Sequence, residues 1–329
     1  MDLVNQTPLA ACLHGLVLPE GPEAVGLVVK GTWEIHEGGP CVLAARQPPV
    51  RMTPEHVGDP ASSSVRYPAD AGLPTPGTSC LLVADAVAPY EGASVVTVRF
   101  RAGPVSTTLL VFGERRWERL FGVARPSDPA PFDRLPLLWE HASGGTDASG
   151  DPPEHSDRNP LGVGFRARRT GRSLAETPPP RVERGDALVR SPGDRPAPGG
   201  TLPVSPGWQP RLGRAGTYDD AWRRDRAPLL PDDFDPLFSC VAPDDLVAVP
   251  PLEGGEPVRV EGVRAHSALS FPLPSPSLAA DALSPTRTWP VELDLALVVV
   301  EPDAATVSMT WRGAVPMSES ATAIRLRQR

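Results

Sequence analysis

Three carboxylates, Asp232, Asp233 and Asp235, are the densest group of residues with the chemistry to hold a hard cation. A calcium loop spreads its oxygen ligands at set intervals around a glycine turn and closes on a distal Glu. Those partners are missing here, Pro231 and Pro236 flank the run, and Phe234 sits inside it. The pattern predicts a turn in which Phe234 is buried while the carboxylates cap backbone amides or pair with arginine. The histidines, His14, His36, His56, His141, His155 and His266, are scattered, with no H-x-H or H-E-x-x-H spacing. His141 and His155 flank a stretch with Asp147, Asp151, Glu154 and Asp157, whose glycine-rich polar composition reads as a solvated loop. There is no G-x-S-x-G elbow and no phosphate loop. Gly162-Val163-Gly164 is no dinucleotide fingerprint, because Ala167 replaces the third glycine. Cys12, Cys41, Cys80 and Cys240 form no C-x-x-C pair and are expected to be reduced thiols in or near the core. Nothing local encodes a catalytic, cofactor or metal site, and a non-enzymatic protein is expected.

The stretch from Gly207 to Asp245 carries a different kind of information. Trp208, Arg211, Tyr218, Asp219, Trp222, Asp233, Phe234 and Asp235 stand among prolines in a segment too irregular to be held by strands or long helices. Each anchor needs a specific packing role or a partner. Thr217 and Asp220 resemble a weak capping box, so Tyr218 to Arg226 could form two helical turns ended before Pro228. Phe234 to Val241 could form a further turn. Packing is the simpler reading for Trp208 and Trp222. Aromatics and arginine are also the residues enriched at interface centres.

These anchors must be positioned by a scaffold that proline shapes. The 329 residues include 43 prolines, which exclude long helix interiors and central-strand positions. Many short strands joined by turns are therefore predicted. Leu27, Val29, Gly31, Trp33 and Ile35 alternate with Val28, Lys30, Thr32 and Glu34, placing the two sets on opposite sheet faces. Val96, Val98 and Phe100 begin a hairpin that turns at Gly103-Pro104 and returns along Val105–Phe112. A second hairpin runs from Val291, Leu293, Leu295 and Leu297 through a turn at Glu301–Ala304 to Val307, Met309 and Trp311. Trp33 and Trp311 are expected in the core.

The fold class expected is mainly β, an antiparallel sandwich-like arrangement with long proline-rich loops and one or two short helices. An N-terminal half, 1–165, and a C-terminal half, 206–329, flank an Arg/Pro/Gly-rich excursion at 166–205; the halves could share one sandwich. Arg166, Arg168, Arg169, Arg172, Arg181, Arg184, Arg190 and Arg195 make that excursion basic, as a solvated loop or as a docking segment for an acidic partner. The net charge of −8 argues against nucleic-acid or anionic-membrane binding. Leu9-Ala10-Ala11-Cys12 mimics a lipoprotein cleavage box, but only eight residues precede it and their sole charged side chain is Asp2, so a cytoplasmic location is expected.

Several strings resemble the bacterial family known as domain of unknown function 2169. Besides the Gly207–Asp245 segment, they are Val29-Lys30-Gly31-Thr32-Trp33, Gly113-Glu114-Arg115-Arg116-Trp117, Asn159-Pro160-Leu161-Gly162-Val163-Gly164-Phe165, Leu269–Pro274 and Trp311-Arg312-Gly313-Ala314-Val315-Pro316. Each piece is weak alone; their shared order along the chain is specific. Asp244-Asp245 and the Leu73–Cys80 stretch depart from the family pattern. The resemblance implies an adaptor or chaperone of type VI secretion that binds an effector, through a PAAR-like spike-tip domain, and helps mount it on the spike trimer. It adds Asn159, Gly162, Gly164, Phe165, Arg115 and Trp117 to the candidate partner-binding residues. Two other readings stay open: a carbohydrate- or ligand-binding β-sandwich with stacked tryptophans, and a hydrolase whose nucleophile and base meet only in the fold.

Overall fold

In the computed structural model, which describes residues 1–21 and 23–328, the chain is mainly β, as its proline content and alternation predict. Three sheets surround one continuous apolar core. The largest runs in the order Val247–Ala248, Thr78–Leu82, Asp294–Glu301, Thr306–Pro316, Glu23–Glu34 and Ala10–Val17, with Val42–Leu43 added beside Glu23–Glu34. Strands from both halves pair side by side within it, so the halves share a sheet. A five-stranded antiparallel sheet orders Val182–Arg184, Val105–Phe112, Val95–Ala102, Pro257–Glu261 and Leu269–Pro272. In the third sheet Asp2–Asn5 runs parallel to Ala323–Gln328, followed by Leu278–Leu283 and Thr288–Val291. Cys12 lies inside the strand Ala10–Val17, paired with Val28.

The hairpin expected from Val96 to Phe112 forms with Ala102 opposite Val105. The second hairpin also forms, but its first strand is Asp294–Glu301; Val291 ends a strand of another sheet. A bulge between Leu295 and Leu297 breaks the alternation there, and the strand is central and buried on both faces. Glu23–Glu34 is likewise buried on both faces. Its polar side, Lys30 and Thr32 opposite Thr310 and Ser308, is covered by the segment 44–75. Lys30 Nζ donates to Asp70 at 2.6 Å, and Gln47 exchanges two hydrogen bonds with the Thr32 backbone. Burial lowers the Lys30 pKa, and the Asp70 charge opposes that shift. Trp33 and Trp311 meet edge to face in the core, with ring centroids 6.2 Å apart.

The 166–205 stretch differs from the solvated excursion its composition suggests. Val182–Arg184 adds a strand to the five-stranded sheet, and Val182, Glu183, Thr201 and Leu202 are buried. Its backbone is irregular, yet neighbours satisfy it: Thr201 donates to the Leu82 carbonyl, and the Leu82 amide donates to that of Thr201. Several of its arginines work internally, while Arg168, Arg169 and Arg190 are exposed. Arg166 donates to Thr177 Oγ1 and to the Ser173 and Arg172 carbonyls, and Arg184 pairs with Asp186 and Asp245. Burial in this stretch comes from hydrogen-bonded backbone together with a few apolar side chains, Val182, Val189, Leu202 and Val204 among them, which is why a low apolar count misreads it.

Candidate partner-binding surface

The candidate residues fall into two neighbourhoods that meet at Trp139, itself buried. In the first, Asn159 is fully buried and donates from Nδ2 to the carbonyls of Trp139 and Ser143 at 2.9 and 3.1 Å. Its backbone carbonyl accepts from Gly145. Gly162 lies so close that a Cβ there would sit 2.5 Å from Asn159 Nδ2 and 2.6 Å from the Ala142 carbonyl. Gly164, at φ +89°, pairs with Gly144 in a short parallel bridge, and the Phe165 amide donates to the Gly144 carbonyl. Arg195 covers the Phe165 ring with its guanidinium 4.6 Å from the centroid. The Asn159–Phe165 string is thus a seam holding two loops together.

Arg115 and Trp117 join the same neighbourhood. Arg115 is buried, donates to the Pro180 carbonyl and to the Glu183 carboxylate, and stacks over Phe112 at 3.8 Å. The Trp117 indole donates to the Thr177 carbonyl at 2.7 Å. Together they clamp the base of a two-stranded ribbon, Trp117–Leu120 paired with Val123–Pro126, that belongs to no larger sheet. At its tip Leu120, Phe121 and Val123 are exposed, Phe121 to 96%. Phe121 and Gly122 have φ of +50° and +83°, the paired left-handed residues of a tight hairpin loop. Glycine takes that conformation freely; a phenylalanine is strained in it. Arg119 and Arg125 flank the tip, exposed and without an ion pair among the described residues. Sequence reading singled out the base of this ribbon and missed its tip. The available signal was the unbroken apolar run Leu120-Phe121-Gly122-Val123 between charged strands.

In the second neighbourhood most anchors turn inward. Trp208 packs edge to face on Trp139 at 5.9 Å and is half-buried against the core. Arg211 points into the fold, donating to the Phe238 and Val204 carbonyls at 2.7 and 2.8 Å. The one α-helix among the described residues, α1, spans Asp220–Asp225. Its cap is Asp219, which accepts from the Trp222 amide at 2.8 Å, and not Thr217. Thr217 is instead held by Asp233, which accepts from its amide and its hydroxyl and is thereby kept below the usual carboxylate range. Asp235 accepts from the Leu237 amide and caps the 3-10 turn Pro236–Ser239, and Asp232 pairs with Arg226 at 3.2 Å. Phe234 is half-buried on Phe238 at 5.7 Å. The expected turn with capping and paired carboxylates is what forms. Only Tyr218 among the large anchors is exposed, at 51%, edge to face at 4.7 Å between centroids with the half-buried Trp222, whose indole donates to the Leu229 carbonyl.

Among the described residues no helix is long and apolar enough to cross a membrane. A comparison with curated proteins and one with solved structures gave no match. A family model described as uncharacterized protein conserved in bacteria (DUF2169) matches residues 20–312, a span that takes in both neighbourhoods and the ribbon between them. The chain therefore belongs to this bacterial family, domain of unknown function 2169.

Proposed function

We propose that the chain is a non-enzymatic cytoplasmic adaptor that binds a protein partner through the 117–126 ribbon. The observation that supports this reading is the exposed, strained Phe121 at the end of a clamped hairpin. Strain and apolar exposure both raise the free energy of the isolated protein, and a bound partner removes the second. Arg119 and Arg125 beside the tip call for an apolar recess with an acidic rim, an anchor-in-pocket contact of the kind that dominates interface energies. Tyr218 on α1 offers a second contact. The resemblance seen in the sequence supplies the partner class: a type VI secretion effector carrying a PAAR-like spike-tip domain, held by the adaptor until it is mounted on the spike trimer.

The test is co-expression with the effector or PAAR-like protein encoded nearest to this chain, followed by size exclusion with mass measurement. A co-eluting complex that is lost with Phe121→Ser, in a variant that melts like the parent, supports the proposal. Two separate soluble peaks with the unaltered chain overturn the assigned partner. A complex indifferent to Phe121→Ser overturns the assigned surface.

A further inference from the structure

Two guanidinium groups, Arg211 from the irregular segment and Arg312 from the strand Thr306–Pro316, line one cavity of about 380 Å³. Arg312 is 5% exposed and donates from Nε, Nη1 and Nη2 to the carbonyls of Asp70, Leu73 and Ala69 at 2.8, 3.3 and 3.1 Å. Arg211 uses Nε and Nη1 on backbone carbonyls; its Nη2 has no hydrogen-bond partner among the described residues. Neither forms an ion pair there. The carboxylate of Asp70 is already taken by Lys30, by the Arg51 amide at 2.7 Å and by Thr310 at 3.2 Å. Cys240 does not supply a charge either, since burial raises its pKa.

Both arginines remain cationic at neutral pH. Burial pulls Arg211 down to about 10, with the Arg312 charge adding to it, and burial holds Arg312 at about 10 against the nearby Asp70 charge, which Lys30 shares. Pro68, Pro203, Pro206, Leu230, Phe234 and Phe238 supply an apolar wall. Two neighbouring cations, one buried and one half-buried, beside a carboxylate already bonded to Lys30, are costly to bring together, and a guanidinium fork matches the two oxygens of a carboxylate. The volume lies in the range of small-ligand pockets, roughly 300–1,000 Å³.

We propose that this cavity binds a carboxylate carried on an apolar stem, with Arg211 and Arg312 holding its oxygens and the proline and phenylalanine wall enclosing the stem. The site is independent of the adaptor reading, because the ribbon contributes nothing to its walls. The carboxylate can arrive on a free small molecule or on the end of a peptide chain.

The experiment titrates the full chain, labelled with ¹⁵N-arginine, with 3-phenylpropanoate and its amide, and with N-acetyl-Leu-Phe as acid and as amide. The arginine Nε–H signals are followed, Arg211→Lys and Arg312→Lys assigning the two. Each acid is expected to bind at least about tenfold more tightly than its amide, the amide lacking the charge-assisted contacts, and to shift both Arg211 and Arg312. Arg211→Lys is expected to weaken the acid by about tenfold through loss of the fork. Preference for 3-phenylpropanoate identifies a free metabolite-sized ligand, and preference for the dipeptide acid identifies a chain end. Equal binding of acid and amide, or no shift of either signal at millimolar acid in the folded wild-type chain, overturns the site. The acid–amide comparison needs no variant, so a poorly folding Arg211→Lys leaves it intact.

Discussion

The 117–126 ribbon and the 207–245 segment both carry aromatics near the surface, and they use them in opposite ways. In the segment nearly every chemical group has an internal role. Asp219 caps α1, Asp233 ties Thr217, Trp222 reaches the Leu229 carbonyl and Trp208 packs on Trp139. In the ribbon the internal roles are confined to its base, at Arg115 and Trp117, and Leu120, Phe121 and Val123 have none. Irregular backbone must be held by side chains, so a conspicuous motif in such a region marks the braces first. A surface that serves a partner is found among the residues the fold itself leaves idle.

The largest effect expected from breaking this contrast is at the base of the ribbon. Arg115→Ala strands the buried Glu183 carboxylate, whose side chain is 1% exposed. Loss of one partner of a buried pair costs about 3–5 kcal/mol, to be read from urea unfolding. A loss below about 1 kcal/mol, the value of a surface pair, would mean that the pair does not brace the ribbon.

The tip should behave in reverse. Phe121→Asn puts a residue tolerant of positive φ into the strained position. It is expected to leave stability unchanged or raise it by about 1 kcal/mol, while partner affinity falls by about 2 kcal/mol or more, as for a buried aromatic anchor. Melting and calorimetric titration with the co-eluting partner measure the two. A fall in both together would make Phe121 a structural residue.

Within the 207–245 segment a single brace should matter less, because several share the load. Asp219→Ala removes the cap of α1 at a cost of about 1 kcal/mol, read as faster amide exchange at Trp222 with the sheets unaffected. Global unfolding from this change would mean that the segment is part of the core and not a self-braced layer on it.

Acid separates the regions most gently. Asp233 is held below the usual carboxylate range by the Thr217 amide and hydroxyl, and buried Asp147 by the Ser149 and Thr170 hydroxyls together with backbone amides. A carboxyl whose folded pKa is depressed contributes stability that is complete above its unfolded pKa, about 4, and is lost as pH falls through the folded value. No change is therefore expected from neutrality to about pH 5. Below about pH 4 proteolysis should open the 216–217 and 147–170 loops before the strand pair of the ribbon, whose backbone ladder and Trp117 indole anchor contain no titrating group. Ribbon cleavage first, in the same acid series, contradicts this order.

The alternation of Val95–Ala102 and Val105–Phe112 was legible because side-chain direction in a strand follows chain position. The burial of Lys30 was not, since it depends on the distant segment 44–75 lying over that face. The turn around Asp232–Asp235 could be read from its flanking prolines. The inward direction of Arg211 could not, because the carbonyls it binds come from Val204 and Phe238 only after the segment has folded back. Family membership was readable from the order of short strings, which survives whatever each string does in the fold.

The sequence by itself determined a mainly β chain with proline-set turns, its best hairpin and its family, since backbone torsions and period-two patterning are local properties. Tertiary structure alone decided that the 166–205 stretch adds a strand and a few side chains to the core, that Phe121 stands free, and that Arg211 and Arg312 share a cavity. Exposure and charge balance belong to the space around a side chain, and that space is filled by residues far away along the chain.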